Sequence, residues 1–424
     1  MHRSSLVFEN EVCYTYNQES MRKISDIHLL RRSVGHKPCR PFLIPKTSVL
    51  LKLCSLYTFS LERTCMTNVV RVLSLSLKMT THRFLTADSR KLAEIGDSSI
   101  NLIVTSPPYP MIAMWDELFS SFDPQISEDL IYGAGMAAFE RMNDVLFDVW
   151  RECDRVLYDG GFVCINIGDA VRTINDRFCM YPNHEKVISF FLSLGYTMLP
   201  DIHWCKPSNA PNKFMGSGMY PAGAYVTYEH EYILIFRKEN KRVFSEAEKV
   251  RRKHSAYFWE ERNVWFSDLW EIKGTSQKAS IKGSRSRNAS FPFDVPYRLV
   301  NMYSIEGDTV LDPFGGLGTT SLACMGANRN SISVDIDEGF TEQAYKRVSE
   351  SVDVLNDIIE QRLCKHLQYI ASLPQEKQKD LYFNRYHNCF VRTRQETELY
   401  LRIIQSVQNK GNILTCLYND EFER

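Results

Sequence analysis

The chain has 424 residues, 44% hydrophobic and 24% charged, with 51 basic and 51 acidic side chains and no formal net charge. This suits one large α/β domain with a smaller attached module, or two ordinary domains. It argues against collagen-like, disordered and membrane classes, since no apolar run approaches the roughly 20 residues that span a bilayer.

Residues 1–78 hold 12 Lys and Arg against 5 Asp and Glu, a net of about +7, which leaves about −7 on the remainder. Any surface for a polyanion is therefore a local basic patch rather than a whole-molecule field. This leader carries Cys13, Cys39, Cys54 and Cys65, the pair Arg31-Arg32, and apolar runs with neither a strand nor a helix period. Two readings account for it: a translated segment upstream of a start at Met79, which we favour, or a targeting peptide, against which stand Glu9, Glu11 and Glu19. The 12 cysteines of the whole chain form no CxxC pair and the histidines are scattered, so they read as free thiols in a reducing cytoplasm, with no metal site expected.

From Met79 the pattern becomes regular. Arg83–Thr86 reads as a short strand and Ser89–Glu94 as a short helix. Ile100–Val104 reads as a buried strand running into Thr105-Ser106-Pro107-Pro108-Tyr109. A helix is predicted over Phe139–Val156, a strand over Phe162–Ile167, a helix over Glu185–Leu194, and strands over Met198–Trp204 and Tyr232–Phe236. Residues 238–290 mix Lys, Arg, Ser and aromatics with weaker periodicity. Val310–Asp312 and Ser331–Asp335 then bracket a helix starting near Thr319, and residues 341–424 read as helical. Strands alternating with helices predict a doubly wound, mostly parallel α/β sheet covered on both faces.

Two stretches carry chemistry. In Asp312-Pro313-Phe314-Gly315-Gly316-Leu317-Gly318-Thr319-Thr320 a strand ends in an acid, and a glycine-rich turn lets backbone approach a ligand before a helix begins. Asp335 ends the next strand 23 positions later, where an acid can accept hydrogen bonds from ribose hydroxyls. No Walker lysine or complete GxGxxG is present, which disfavours triphosphates and dinucleotides. In Ser106-Pro107-Pro108-Tyr109 the prolines fix φ and remove amide donors, leaving carbonyls to face a ligand. Ser106 Oγ and the Pro107 carbonyl can accept both hydrogens of an amino group, and Tyr109 offers a flat face to an extruded base. Neither stretch alone exceeds a tight turn or a rigid loop; their combination is specific. Ser106 lacks a GxSxG elbow, so it does not read as a hydrolase nucleophile. Cys39 and Cys205 likewise lack the context of nucleophiles.

On these residues the chain resembles the amino methyltransferases that act on DNA. Ser106–Tyr109 looks like their catalytic motif and Asp312–Thr320 like their S-adenosylmethionine motif. The catalytic motif comes first, as in the permuted β group. The resemblance runs from about Met79 to about Glu350. Ala87-Asp88-Ser89 is similar to the acidic turn that meets the cofactor adenine, Asn166-Ile167-Gly168-Asp169 to motif V, and His230-Glu231-Tyr232-Ile233 to motif VIII. Asn288-Ala289-Ser290-Phe291-Pro292 is similar to the segment beside the methionine end of the cofactor.

The resemblance implies a seven-stranded, Rossmann-like sheet with one antiparallel strand near an edge. It implies S-adenosyl-L-methionine as cofactor, held by Asp88, Asp312, Phe314, Gly315, Gly316, Gly318 and Asp335. It implies Ser106, Pro107, Pro108 and Tyr109 as catalytic residues. Ser at the first motif position is associated with cytosine N4; N6 of adenine and a non-catalytic DNA-binding relative are the alternatives. The expected partner is double-stranded DNA, with a companion restriction endonuclease that need not bind the chain directly.

The expected division is a leader (1–78), a catalytic half (79–237), a target-recognition insertion (238–290), a cofactor half (291–350) and a helical C-terminal extension (351–424). Basic residues interleaved with Tyr257, Trp259, Trp265 and Trp270 in the insertion suit phosphate contact and base reading. Lys213, Lys282, Arg285 and Arg287 are the candidate DNA contacts. A plain solvated helix is the other reading of Ser245–His254.

Overall fold

The computed structural model describes residues 79–206, 215–274 and 291–419. The leader, the Asn288–Ser290 segment and the candidate DNA contacts Lys213, Lys282, Arg285 and Arg287 lie outside the described residues.

Strand formation follows the apolar runs. Ten strands are labelled in chain order: β1 (Met79–Thr86), β2 (Ile100–Thr105), β3 (Leu157–Ile167), β4 (Ile202–Cys205), β5 (His230–Arg237), β6 (Leu269–Glu271), β7 (Thr309–Asp312), β8 (Asn330–Asp335), β9 (Ile404–Lys410) and β10 (Ile413–Tyr418). In β2, Ile100 and Ile103 pack into one apolar cluster while Leu102 and Val104 pack into another. A strand with both faces buried needs such a continuous apolar run, as parallel strands covered by helices do. The helix Gly135–Val156 seals the first face with Phe139, Met142, Leu146 and Trp150, and the helices Asp294–Tyr303 and Thr319–Gly326 seal the second with Val295, Val300, Ala323 and Cys324.

The sheet runs in the order β6-β4-β5-β3-β2-β7-β8-β1-β10-β9, with the two-residue strand Thr197–Met198 pairing β5 to give 11 strands. The expected seven are the consecutive run from β4 to β1. β1, β8, β7, β2 and β3 are parallel neighbours, and β5 is antiparallel to both β3 and β4. The number of strands therefore exceeds the expectation: β6 extends one edge beyond β4, and β9 and β10 extend the other beyond β1.

That second edge corrects the reading of residues 351–424 as helical. A helix does span Val352–Ser372, but Tyr382–Asn384 pairs with Cys389–Val391 as a small hairpin, and β9–β10 form another. β10 alternates with a period of two, burying Leu414, Cys416 and Tyr418 against Phe84 and Met325, and Gly411 at φ +59° starts the two-residue turn before it.

Ser89–Glu94 forms turns rather than the expected helix. Its backbone is satisfied from elsewhere: Arg155 donates to the Leu92 and Ile95 carbonyls, Glu152 accepts from the Leu92 amide, and Asp88 accepts from the Arg90 amide.

Within 238–274 the helix Glu246–His254 has no residue classed as buried and starts at a Ser245–Glu248 capping box. Several residues proposed for recognition face inward. Arg242 pairs with buried Asp308 at 2.7 Å, Arg251 donates to the Glu306 carbonyl, and Trp265 and Trp270 are buried.

Candidate active site

Because β2, β7 and β8 are parallel neighbours, Thr105, Asp312 and Asp335 end them at one edge of the sheet. That is the edge where open α/β sheets bind ligands, because the following helices begin there. Asp88, Ser106, Pro107, Pro108, Asp312, Phe314, Gly315, Gly316 and Asp335 line one cleft of about 1130 Å³, counting the solvent at its open mouth. Gly318 and Tyr109 do not line it.

The glycines divide the work of the turn. A Cβ on Gly315 would collide with Ser333 Oγ, so its bareness lets the turn lie against β8. Gly318, at φ +72°, caps the helix Thr319–Gly326 and packs toward Ala344. A Cβ on Gly316, at φ +47°, would meet nothing nearer than the Phe314 carbonyl oxygen at 4.0 Å, and the Gly316 amide donates to Asp335 Oδ2 at 2.9 Å. Asp335 Oδ1 accepts from the Asp337 amide at 2.9 Å, which orients the carboxylate.

Asp312 is occupied internally. Thr105 Oγ1 donates to Oδ1 and Thr320 Oγ1 to Oδ2, each at 2.6 Å, and the Phe314 amide donates to Oδ1. Burial pushes its pKa up to about 6 against the lowering effect of those donors. The carboxylate fastens the ends of β2 and β7 to the first turn of the next helix, so within this site it positions the loops.

Asp88 is paired with Arg90 at 2.6 Å, and the guanidinium lies 4.1 Å from the centroid of the Phe122 ring. Burial works against the charge of Asp88, but the Arg90 hydrogen bonds hold its pKa below the ordinary carboxylate value. Phe119, Phe122, Phe291, Ile336 and Phe340 supply apolar wall. Only Phe291 belongs to a stretch singled out in the sequence; Phe119 and Phe122 come from the helix Asp116–Phe122, whose 7 residues give too short a periodic signal to mark a binding wall.

Beside the cleft, Ser106 belongs to a polar cluster assembled from four elements. Ser106 Oγ lies 3.0 Å from Tyr109 Oη, and Tyr109 Oη donates to Glu231 Oε2 at 2.9 Å. Asn166 Nδ2, at the end of β3, donates to Tyr109 Oη at 2.8 Å and to Glu231 Oε2 at 2.7 Å. Lys206 Nζ, following β4, donates to Glu231 Oε1. Asn166 is buried, and its Oδ1 has no hydrogen-bond partner among the described residues. Burial and the adjacent Glu231 charge raise the Tyr109 phenol well above its usual pKa, so it stays a neutral hydroxyl. The sequence marks Asn166 and Glu231 only through weak motif likeness and gives no sign of Lys206. β3, β4 and β5 bring them together by strand pairing.

A second group, Glu260, His366 and Glu396, places its ligand atoms within 4.8 Å of one another. His366 Nδ1 is 2.8 Å from Glu260 Oε1 and Nε2 is 2.9 Å from the Phe390 carbonyl.

No helix among the described residues is long and apolar enough to cross a membrane. The profile of the N6 and N4 type DNA methylase family matches residues 100–346. The type II methyltransferase M.MthZI of Methanothermobacter thermautotrophicus is 48% identical over 336 residues, covering 78% of this chain and 93% of that protein. M.MjaI of Methanocaldococcus jannaschii is 48% identical over 280 residues, covering 62% and 90%. TTHA0409 of Thermus thermophilus, described as a putative DNA modification methylase and solved with S-adenosyl-L-methionine, is similar in structure with a TM-score of 0.50 and 29% identity, covering 64% of this chain and 96% of that one. With the sheet order, the two motif loops at one edge and these likenesses in hand, the chain belongs to the N6 and N4 DNA methylase family, among the β-group type II DNA methyltransferases.

Proposed function

We propose that this protein methylates N4 of cytosine in double-stranded DNA, with S-adenosyl-L-methionine as the methyl donor. The observation that carries the reading is the placement of Ser106: the loop that bears it lines the same cleft as Gly316 and Asp335, next to two prolines that contribute no amide donor. A base seated on Tyr109 would present its amino group to Ser106 Oγ and the Pro107 carbonyl, both hydrogen-bond acceptors.

The cleft suits the donor. Asp88 and Asp335 provide acceptors for adenine and ribose, Gly316 leaves backbone open, and Ile336, Phe340 and Phe122 give an apolar lining for a purine. When bound, S-adenosyl-L-methionine supplies a methyl group activated on a positively charged sulfur. The residues of this chain hold the amino nitrogen in line with that carbon, and positioning of this kind removes a large share of a bimolecular barrier. A serine hydroxyl is too weak a base to deprotonate the amine before attack, so its role is to orient the nitrogen.

We assign phosphate contact to Lys213, Lys282, Arg285 and Arg287, on the strength of the basic and aromatic composition of the segments that carry them. A companion restriction endonuclease fits the type II relatives and requires no direct contact with this chain.

The test is tritium transfer from labelled S-adenosylmethionine to duplex DNA, followed by nucleoside analysis. N4-methylcytosine is the expected product. N6-methyladenine would move the target to adenine, and absence of transfer to any duplex would overturn the catalytic reading.

A further inference from the structure

We infer that Glu231 is the terminal acceptor of the proton that the methylated amino group must lose, reached through Ser106 and Tyr109. The inference rests on the reading that Ser106 faces the amino nitrogen.

The direction of the hydroxyl chain follows from its end. A carboxylate has no proton to give, so the 2.9 Å contact with Glu231 makes Tyr109 the donor there. Tyr109 has one hydroxyl proton, so in the 3.0 Å contact with Ser106 the serine donates. Asn166 Nδ2 donates to Tyr109 Oη as well, which completes the acceptor capacity of that oxygen. The chain therefore points one way, from Ser106 to Tyr109 to Glu231; Ser106 Oγ also lies 3.4 Å from Asn166 Nδ2, which leaves it one lone pair for the cleft. The same carboxylate fixes the Asn166 amide, because turning it over would place Oδ1 against Glu231 Oε2 at the 2.7 Å now held by Nδ2.

Glu231 is largely buried and has donors on both carboxyl oxygens. Lys206 binds its Oε1, and Asn166 and Tyr109 donate to its Oε2.

The step balances. The amino nitrogen lone pair forms the new N–C bond, and the breaking C–S bond leaves its electron pair on sulfur. As that bond forms the nitrogen becomes strongly acidic, and one of its two protons leaves in the same step. That proton passes to Ser106 Oγ, the Ser106 proton to Tyr109 Oη, and the Tyr109 proton to Glu231 Oε2. Two neutral hydroxyls and a neutral carboxylic acid remain, and the acid returns its proton to solvent after turnover.

The experiment uses the full chain with E231Q, which keeps shape and an acceptor oxygen, and Y109F, which keeps the stacking face. Each should lower the single-turnover methylation rate by about 100-fold or more, the range typical of a general base. Duplex binding measured without donor should stay within about twofold of wild type. E231A should be partly restored by millimolar formate, a result that a purely structural role would not give. A wild-type rate in E231Q while S106A is inactive would overturn the relay and leave the Ser106 reading standing. A wild-type rate in S106A would overturn the reading beneath it. Loss of donor-free duplex binding in E231Q, or no formate rescue of E231A, would make Glu231 a structural residue and overturn the inference.

Discussion

Replacing Ser106 by Ala removes one oxygen from a loop whose conformation Pro107 and Pro108 already fix, so the fold should persist while the amino group loses an acceptor. Single-turnover kinetics should show a rate loss of about 100-fold or more, with donor and duplex dissociation constants changed by less than about threefold, because the contact strengthens as the nitrogen pyramidalises. Asp335→Ala should act on the other half of the cleft. Losing hydrogen bonds from a charged acceptor costs about 1.5–3 kcal/mol, a rise of about 10- to 100-fold in the donor dissociation constant by calorimetry.

Asp312 makes the opposite kind of prediction. Its pKa rises from 3.8 to about 6 on folding, so the folded state holds this proton more tightly than the unfolded chain does. Stability from this group is therefore present below about pH 4 and is lost as pH rises through 6. Asp312→Asn should remove that slope: denaturant midpoints at pH 4.5 and 7.5 should lie closer together in the variant than in the wild type. An unchanged difference would place the carboxylate in a more solvated setting than the structure gives it.

At the scale of elements, the helix Val352–Ser372 is tied to the helix Trp259–Trp265 through His366. The imidazole is buried, stacked on Phe258 with ring centroids 3.8 Å apart, and has an acceptor on each nitrogen. Burial works against the charge, but Cys389, Glu260 and the Phe390 carbonyl outweigh it and push the pKa from 6.5 up to about 10. A raised histidine contributes stability that is complete below 6.5 and disappears as pH rises through 10. Thermal unfolding between pH 7 and 10 should therefore show a steeper decline for wild type than for His366→Gln.

The β10 hairpin offers a packing test. Leu414 is buried beside Phe84 and Leu322, so Leu414→Ala should cost about 2–5 kcal/mol in urea unfolding. A residue on a merely appended segment would cost far less. The sequence alone reads this stretch as helix because the six residues of β10 are too few to separate a strand from a helix by apolar spacing. Its pairing with β1, at the far end of the described chain, is what selects the extended form.

For the molecule as a whole, the zero net charge means that affinity for DNA depends on local clusters rather than a global field. Neutralising Lys282, Arg285 and Arg287 together should weaken binding to all duplexes and reduce the slope of log affinity against log salt by about one unit for each phosphate no longer neutralised. A salt series on matched and mismatched duplexes checks this. An unchanged slope would move the phosphate contacts elsewhere. Arg242 and Arg251 lie in the same basic region of sequence but are bound to Asp308 and to the Glu306 carbonyl, so their replacement should lower stability first.

The amino-acid sequence by itself determined the parallel core and the positions of the two motif loops. Apolar runs, a double proline and a glycine-rich turn act within a few residues of themselves, and parallel pairing then has to deliver their ends to one edge. Only the tertiary structure decided which groups stand around Ser106 and which charges face solvent. Glu231 lies 122 positions from Tyr109 and Asn166 lies 57, on strands whose order in the sheet no local pattern specifies. The same holds for Arg242, whose partner Asp308 lies 66 positions on, and for β10, which closes the edge that β1 would otherwise expose. Such contacts depend on burial and on pairing between distant segments, and neither is set until the chain has closed on itself.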